Sequence, residues 1–162
     1  METNTNHNKE TYLSFKLKTE LFAVNVNKVL EVLERQYITT IPQAPAFLSG
    51  VINFRGEVLP VIDIRRKFNM KDREENDKYV IIVLDLNIKG NLKLGAIVDG
   101  VRDVMELNDS ELKEVPSVGY NYRSDFIIGM HQAAEGFMLI LDFDRVFSEE
   151  EVKYFEETTV TN

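Results

Sequence analysis

Apolar and polar side chains alternate at period two in YLSFKL and again in LFAVNV, with only the polar break KTE between them. Successive side chains of a strand point to opposite faces, so the pattern predicts a hairpin starting near Tyr12. Residues 1–10, METNTNHNKE, are polar and aperiodic and have nothing to bury, which predicts a disordered tail. NKVLEVLE reads two ways. Val29, Val32 and Leu33 fall at helical spacing with Asn27 placed to cap, while the β-branched valines favour a strand. IPQAPAF holds two prolines and cannot be a central strand; it leads into VINF, the turn RGE and VLPVIDI, a second hairpin in which Pro60 implies an edge or a bulge. KDREENDK, residues 71–78, reads as a charged linker. YVIIVLDL, LKLGAIVD, VRDVMEL, FIIGMHQ and FMLILDF are further short strands, with turns at Lys89-Gly90-Asn91 and Glu135-Gly136. Ser148 and Glu151 form a capping box that predicts a helix over 149–157.

The chain also repeats itself. FLSGVINFRGEVLPVIDIRRKF (47–68) and FIIGMHQAAEGFMLILDFDRVF (126–147) share Phe47/Phe126, Gly50/Gly129, Gly56/Gly136, Asp63/Asp142 and Phe68/Phe147 in order. Upstream, VNKVLEVLE matches VDGVRDVME, which pairs Val29 with Val101, Glu31 with Asp103 and Val32 with Val104. Two copies of one β-rich unit follow, at about 12–70 and 79–147, inside one domain over 11–147; a helix and tail occupy 148–162. Units this small have marginal cores alone, so the copies are expected to pack together as small barrels or sandwiches.

Composition narrows the function. Of 162 residues 44% are hydrophobic, none is cysteine, and no run approaches the roughly 18 apolar residues of a membrane span, so a soluble, disulfide-free globular protein without membrane insertion is expected. No basic, apolar leader opens the chain, which predicts a cytoplasmic location. A formal charge of −8 repels nucleic-acid phosphate and anionic lipid, so the expected partners are proteins.

Residues suited to catalysis are sparse. Asp63 and Asp142 occupy matching places and could form a carboxylate pair in a small hydrolase, but each precedes a short stretch ending in Phe, where aspartate caps a helical turn. His7 lies in the tail and His131 has no neighbouring histidine; no phosphate-binding glycine loop, GxSxG elbow or HExxH is present, and no cofactor or metal is expected. A nucleic-acid-binding barrel is the other rival, opposed by the acidity and by the lack of aromatic stacking platforms. Arg55 stands apart, because it sits beside Gly56 where a hairpin reverses, and the second copy has Ala133, Ala134 and Glu135 there with no arginine. The turn therefore does not demand a cation, which points Arg55 toward binding. Val29 and Glu31, outside the obvious hairpins, raise the same question.

GVINFRGEVLPVIDI and LGAIVDGVRDVMEL resemble the signatures of the CheW family of bacterial chemotaxis coupling proteins, with Phe54 where leucine is usual, and the likeness runs from about Tyr12 to Phe147. The resemblance implies a mainly β fold of two packed, intertwined SH3-like five-stranded barrels with short helices, and no catalysis. It implies an adaptor that binds the cytoplasmic tip of methyl-accepting chemoreceptors and the regulatory domain of a CheA-type histidine kinase, in the cytoplasm at membrane-associated arrays. Nothing of domain size lies outside the likeness, which favours a standalone adaptor. Carried over by motif position, the receptor side comprises Val29, Glu31 and Arg55, with Gly50 allowing close approach; the motifs name no residue for the kinase side.

Overall fold

The structure is a computed structural model that describes residues 9–115 and 125–160. Ten strands carry it: β1 (Lys9–Leu17), β2 (Glu20–Asn25), β3 (Val29–Glu34), β4 (Leu48–Phe54), β5 (Glu57–Asp63), β6 (Val80–Leu86), β7 (Leu92–Val98), β8 (Gly100–Asn108), β9 (Ile127–Ala133) and β10 (Gly136–Leu141). Helix α1 (Ile64–Lys67) follows β5 and α2 (Glu149–Val160) closes the chain, with 3-10 turns at Val26–Lys28, Asp109–Glu111 and Phe143–Arg145.

The strands form two five-stranded sheets, ordered β8-β1-β2-β10-β9 and β3-β6-β7-β5-β4. Replacing each strand of the first by the one five places along the chain reproduces the second, so the sequence repeat becomes a quasi-twofold relation. Each repeat splits its strands between the two sheets. We call the sheet built from both chain ends the terminal barrel and the β3–β7 sheet the central barrel. Each closes through one bridge past its edge strand: Thr39 pairs with Val51 of β4, and Lys113 with Met130 of β9.

Apolar alternation fills both barrels and the space between them. Ile52, Phe54, Leu59, Val61, Ile81, Val83 and Ile97 cluster in the central barrel, and Tyr12, Ala23, Leu107, Met138 and Ile140 in the terminal one. A larger cluster takes residues from both sheets, among them Phe15, Phe22, Ile62, Ile82 and Leu94, and includes Phe155 of α2. The phenyl ring of Phe155 meets Phe147 edge-on at 5.3 Å and Phe47 at 6.2 Å, which fixes α2 against the β5 end of the interface. The Ser148–Glu151 capping box starts this helix: the Glu151 N–H donates to Ser148 Oγ and the Ser148 N–H to Glu151 Oε1.

Several expectations are corrected. Lys9 and Glu10 belong to β1, paired with Asn108 and Leu107; backbone pairing needs no apolar side chain, so periodicity misses it. The rest of the expected tail, with His7, lies outside the described residues. NKVLEVLE resolves as a short 3-10 turn and then a strand, and the cap is Asn25, whose Oδ1 accepts the Asn27 N–H at 2.8 Å. Pro60 sits in β5 between two neighbours, but the β7 ladder begins only at Val61, so its missing N–H costs no pairing. The register break lies in β4, between Leu48 and Gly50.

Candidate docking face

Edge strand β3 and the β4–β5 hairpin bring three of the four singled-out residues to one end of the central barrel. Arg55 and Gly56 form the two-residue turn between Phe54 and Glu57, both with positive φ (54° and 83°), the backbone twist that a tight hairpin requires. Asn53 Oδ1 braces the turn by accepting the Gly56 N–H at 2.9 Å. From this tip Arg55 Nη2 donates to Glu31 Oε1 at 2.7 Å, while its guanidinium lies 4.7 Å from the centroid of the Phe54 ring. The pair stays open to partners, with side-chain exposures of 65% for Arg55 and 41% for Glu31. The sequence marks both residues; their mutual ion pair is a finding of the structure.

Val29 opens β3 and packs, half-buried, against the inter-barrel core. Opposite Val29 and Glu31 stand Leu84 and Val83, a register break that leaves Leu30 as an extra residue. Leu30 and Val32 are exposed large apolar side chains on this edge. Val32 follows Glu31 in regular register and so faces the other side of the edge, which leaves this strand exposing charge on one side and apolar surface on the other.

Gly50 does not join this surface. It is buried with φ near 147°, and a Cβ built there falls 2.0 Å from the Thr39 carbonyl oxygen. The close approach that Gly50 permits is therefore that of the chain's own Thr39, in the bridge that closes the central barrel. The repeat obeys the same rule, with a Cβ on Gly129 lying 3.2 Å from the Lys113 carbonyl oxygen beside the Lys113–Met130 bridge.

The terminal barrel carries a counterpart face that the motifs did not mark. Val101 and Val104 of β8, Ile128 of β9 and Phe137 of β10 are exposed. Arg102 of β8 pairs at 3.1 Å with Glu135 at the tip of the β9–β10 hairpin, which exchanges the signs of the Glu31–Arg55 pair.

Two barrels of this topology, each closed past a glycine, are matched over residues 11–151 by the family model of the CheW-like domain. The chain belongs to the CheW-like family. It is 34% identical over 148 residues to the chemotaxis protein CheW of Rhizobium meliloti, covering 91% of this chain and 92% of that one. The chemotaxis protein CheW of Klebsiella aerogenes is 29% identical over 143 residues, 88% of this chain and 84% of the relative. Among solved structures, the scaffolding protein TtCheW of Thermoanaerobacter tengcongensis superposes with a TM-score of 0.74 at 29% identity, covering 86% of this chain and 92% of that one. A CheW-like chain is a chemotaxis adaptor of the scaffolding kind and not an enzyme.

The two aspartates of this CheW-like chain act as caps. Asp63 Oδ1 accepts the Arg65 N–H at the start of α1, and Asp142 Oδ1 the Asp144 N–H at the start of its turn. Asp63 also enters a partly buried ion network. Arg73 Nη1 reaches Asp63 at 3.0 Å and its Nη2 reaches Asp99 at 2.8 Å, while Arg65 grips Asp99 through Nε and Nη2, the latter at 2.6 Å. Asp99 also accepts the Lys18 N–H, and its own N–H donates to the Lys16 carbonyl at 2.9 Å. Burial pushes the Asp99 carboxyl up, but hydrogen bonds from Arg65, the Lys18 N–H and Arg73 outweigh it and hold the group below its usual value. Arg73, expected in a charged linker, is thus a structural anchor, its side chain 11% exposed. Among the described residues no group of three or more His, Asp or Glu side chains could hold a metal ion, and no helix is long and apolar enough to cross a membrane.

Proposed function

We propose that this chain couples chemoreceptors to a CheA-type histidine kinase, with β3 and the β4–β5 tip meeting the receptor's cytoplasmic helical hairpin and the terminal barrel meeting the kinase regulatory domain. The observation that carries the reading is the Glu31–Arg55 pair, held at 2.7 Å and exposed on edge strand β3, whose Leu30 and Val32 are exposed as well. An amphipathic helix laid against such an edge buries its apolar stripe on the aliphatic residues while the charged pair sets its register. The kinase is assigned to the terminal barrel because its strands expose Val104, Ile128 and Phe137, on the opposite member of the quasi-twofold pair. In this reading the protein works in the cytoplasm and is recruited to receptor arrays at the membrane.

The test is a reconstituted mixture of receptor, kinase and this protein. Arg55→Ala is expected to lower receptor-dependent kinase activity about tenfold, the effect of losing one charged anchor. Its melting temperature is expected to stay within about 3 °C of wild type, because an exposed ion pair contributes little to folding. Equal activation by wild type and variant overturns the receptor assignment. Phe137→Ala is expected to weaken binding of the isolated kinase regulatory domain about tenfold and leave receptor binding unchanged. Calorimetry showing the same kinase affinity for both proteins overturns the second assignment.

A further inference from the structure

The two strands that carry the docking faces share a weakness. Both are sheet edges and both break register, β3 between Val29 and Glu31 and β8 between the partners of Leu13 and Phe15. A bulged ladder leaves its extra residue unpaired: in β3 Leu30 separates the Val29–Leu84 pair from the rest of the ladder, and in β8 the break at Arg102 and Asp103 separates the paired Gly100 and Val101 from the rest. In both places the residue immediately upstream is held by an ion pair to the helical turn that follows a hairpin of the other barrel. Before β3, Lys28 Nζ donates to Asp144 Oδ2 at 2.7 Å, and Asp144 Oδ1 accepts the Asn87 N–H from just past β6 at 3.0 Å. Before β8, Asp99 receives Arg65 of α1 and the Lys18 N–H from just past β1. The device is built twice with the charges exchanged, so it follows the fold's symmetry and is not a chance surface contact. The copies differ in depth: Lys28 and Asp144 are 27% and 23% exposed, Arg65 and Asp99 only 10% and 15%.

We propose that Lys28 and Asp144 are positioning residues for receptor docking: their ion pair pins the bulged start of β3 to the terminal barrel and so holds Val29 and Glu31 in the geometry a receptor helix meets. This inference rests on the receptor assignment above. Asp144 is prepared for the role, since its two carboxylate oxygens are divided between Lys28 and the Asn87 N–H. Asn25, the last residue of β2, caps the start of the same turn, and Lys28 at its end holds it to the turn that follows β10.

The experiment compares wild type, Lys28→Met, Lys28→Arg and Asp144→Asn in the full chain. Amide hydrogen exchange reports the pin directly, and titration with a soluble coiled-coil fragment bearing a chemoreceptor cytoplasmic tip, and with the kinase regulatory domain, reports its use. Lys28→Met and Asp144→Asn are expected to speed exchange of the amides at residues 29–31 about tenfold while β6 and β7 stay protected. Both are expected to weaken the receptor fragment about five- to tenfold with kinase-domain affinity unchanged, and Lys28→Arg to restore both readouts. Unchanged exchange at 29–31 overturns the proposal whatever the partners prove to be. So does an equal loss of both affinities together with the melting temperature, which marks a general structural role. If wild type binds no receptor fragment, the receptor assignment falls, and with it the docking role of the pair.

Discussion

Asp99→Ala is expected to lower unfolding stability by about 3 kcal/mol, the cost of removing the carboxylate partner of the buried Arg65 cation, while Arg73 keeps Asp63. Arg65 and Arg73 both converge on this carboxylate, with side-chain exposures of 10% and 11%. The loss reaches both barrels, since Asp99 stands between β7 and β8 and binds the backbone just past β1. Urea denaturation at pH 7 measures it; a midpoint equal to wild type contradicts the assignment of the network as an inter-barrel tie. Acid offers a second check with a defined sign. The folded Asp99 carboxyl lies below its ordinary value, so its contribution is fully present above the unfolded value of about 3.9 and disappears as pH falls through the lower, folded value. Wild type is therefore expected to lose part of its margin over Asp99→Ala below about pH 4.

Gly50→Ala is expected to be nearly as damaging, about 3 kcal/mol, from overpacking together with a positive φ that side chains resist. The obstruction is the Thr39 carbonyl oxygen, 2.0 Å from the added Cβ, and this backbone group cannot rotate away without giving up its hydrogen bond to the Val51 N–H at 2.9 Å. The equivalent Gly129→Ala is expected to be milder, since its Cβ stands 3.2 Å from the Lys113 carbonyl oxygen. Thermal melts of the two variants measure the difference. Equal melting temperatures for Gly50→Ala and wild type remove the barrel-closure role given to Gly50.

What the sequence disclosed follows the range of the forces involved. The caps at Asp63, Asp142 and Ser148 are satisfied within three residues, so local chemistry reveals them. The hairpins are legible because a two-residue turn and period-two burial are both local. β3 is ambiguous because a bulge at its start disturbs alternation just where an edge strand is already half-exposed. Arg73 in KDREENDK has a solvated neighbourhood by composition, yet its partners are Asp63 and Asp99, held in place by β5 and the β7–β8 crossing. Gly50 suggests a partner's approach in the sequence because its true neighbour, Thr39, reaches it only when the barrel closes. Glu31 and Arg55 stand 24 residues apart, and only the folded edge strand and hairpin bring them together.

The division of strands also sets an order of assembly during translation. The central barrel uses only β3 to β7, a contiguous stretch ending at Val98, while the terminal barrel joins β1 and β2 to β8, β9 and β10 and is incomplete until Leu141 has emerged. The first hairpin is thus made earliest and finds its last sheet neighbours late, with its edge strands exposed in the interval. Non-local pairings of this kind are slow to form and leave nascent chains open to mispairing. A nascent chain that has emerged through β7 and not yet through β8 carries all five strands of the central barrel with an orphaned hairpin beside it.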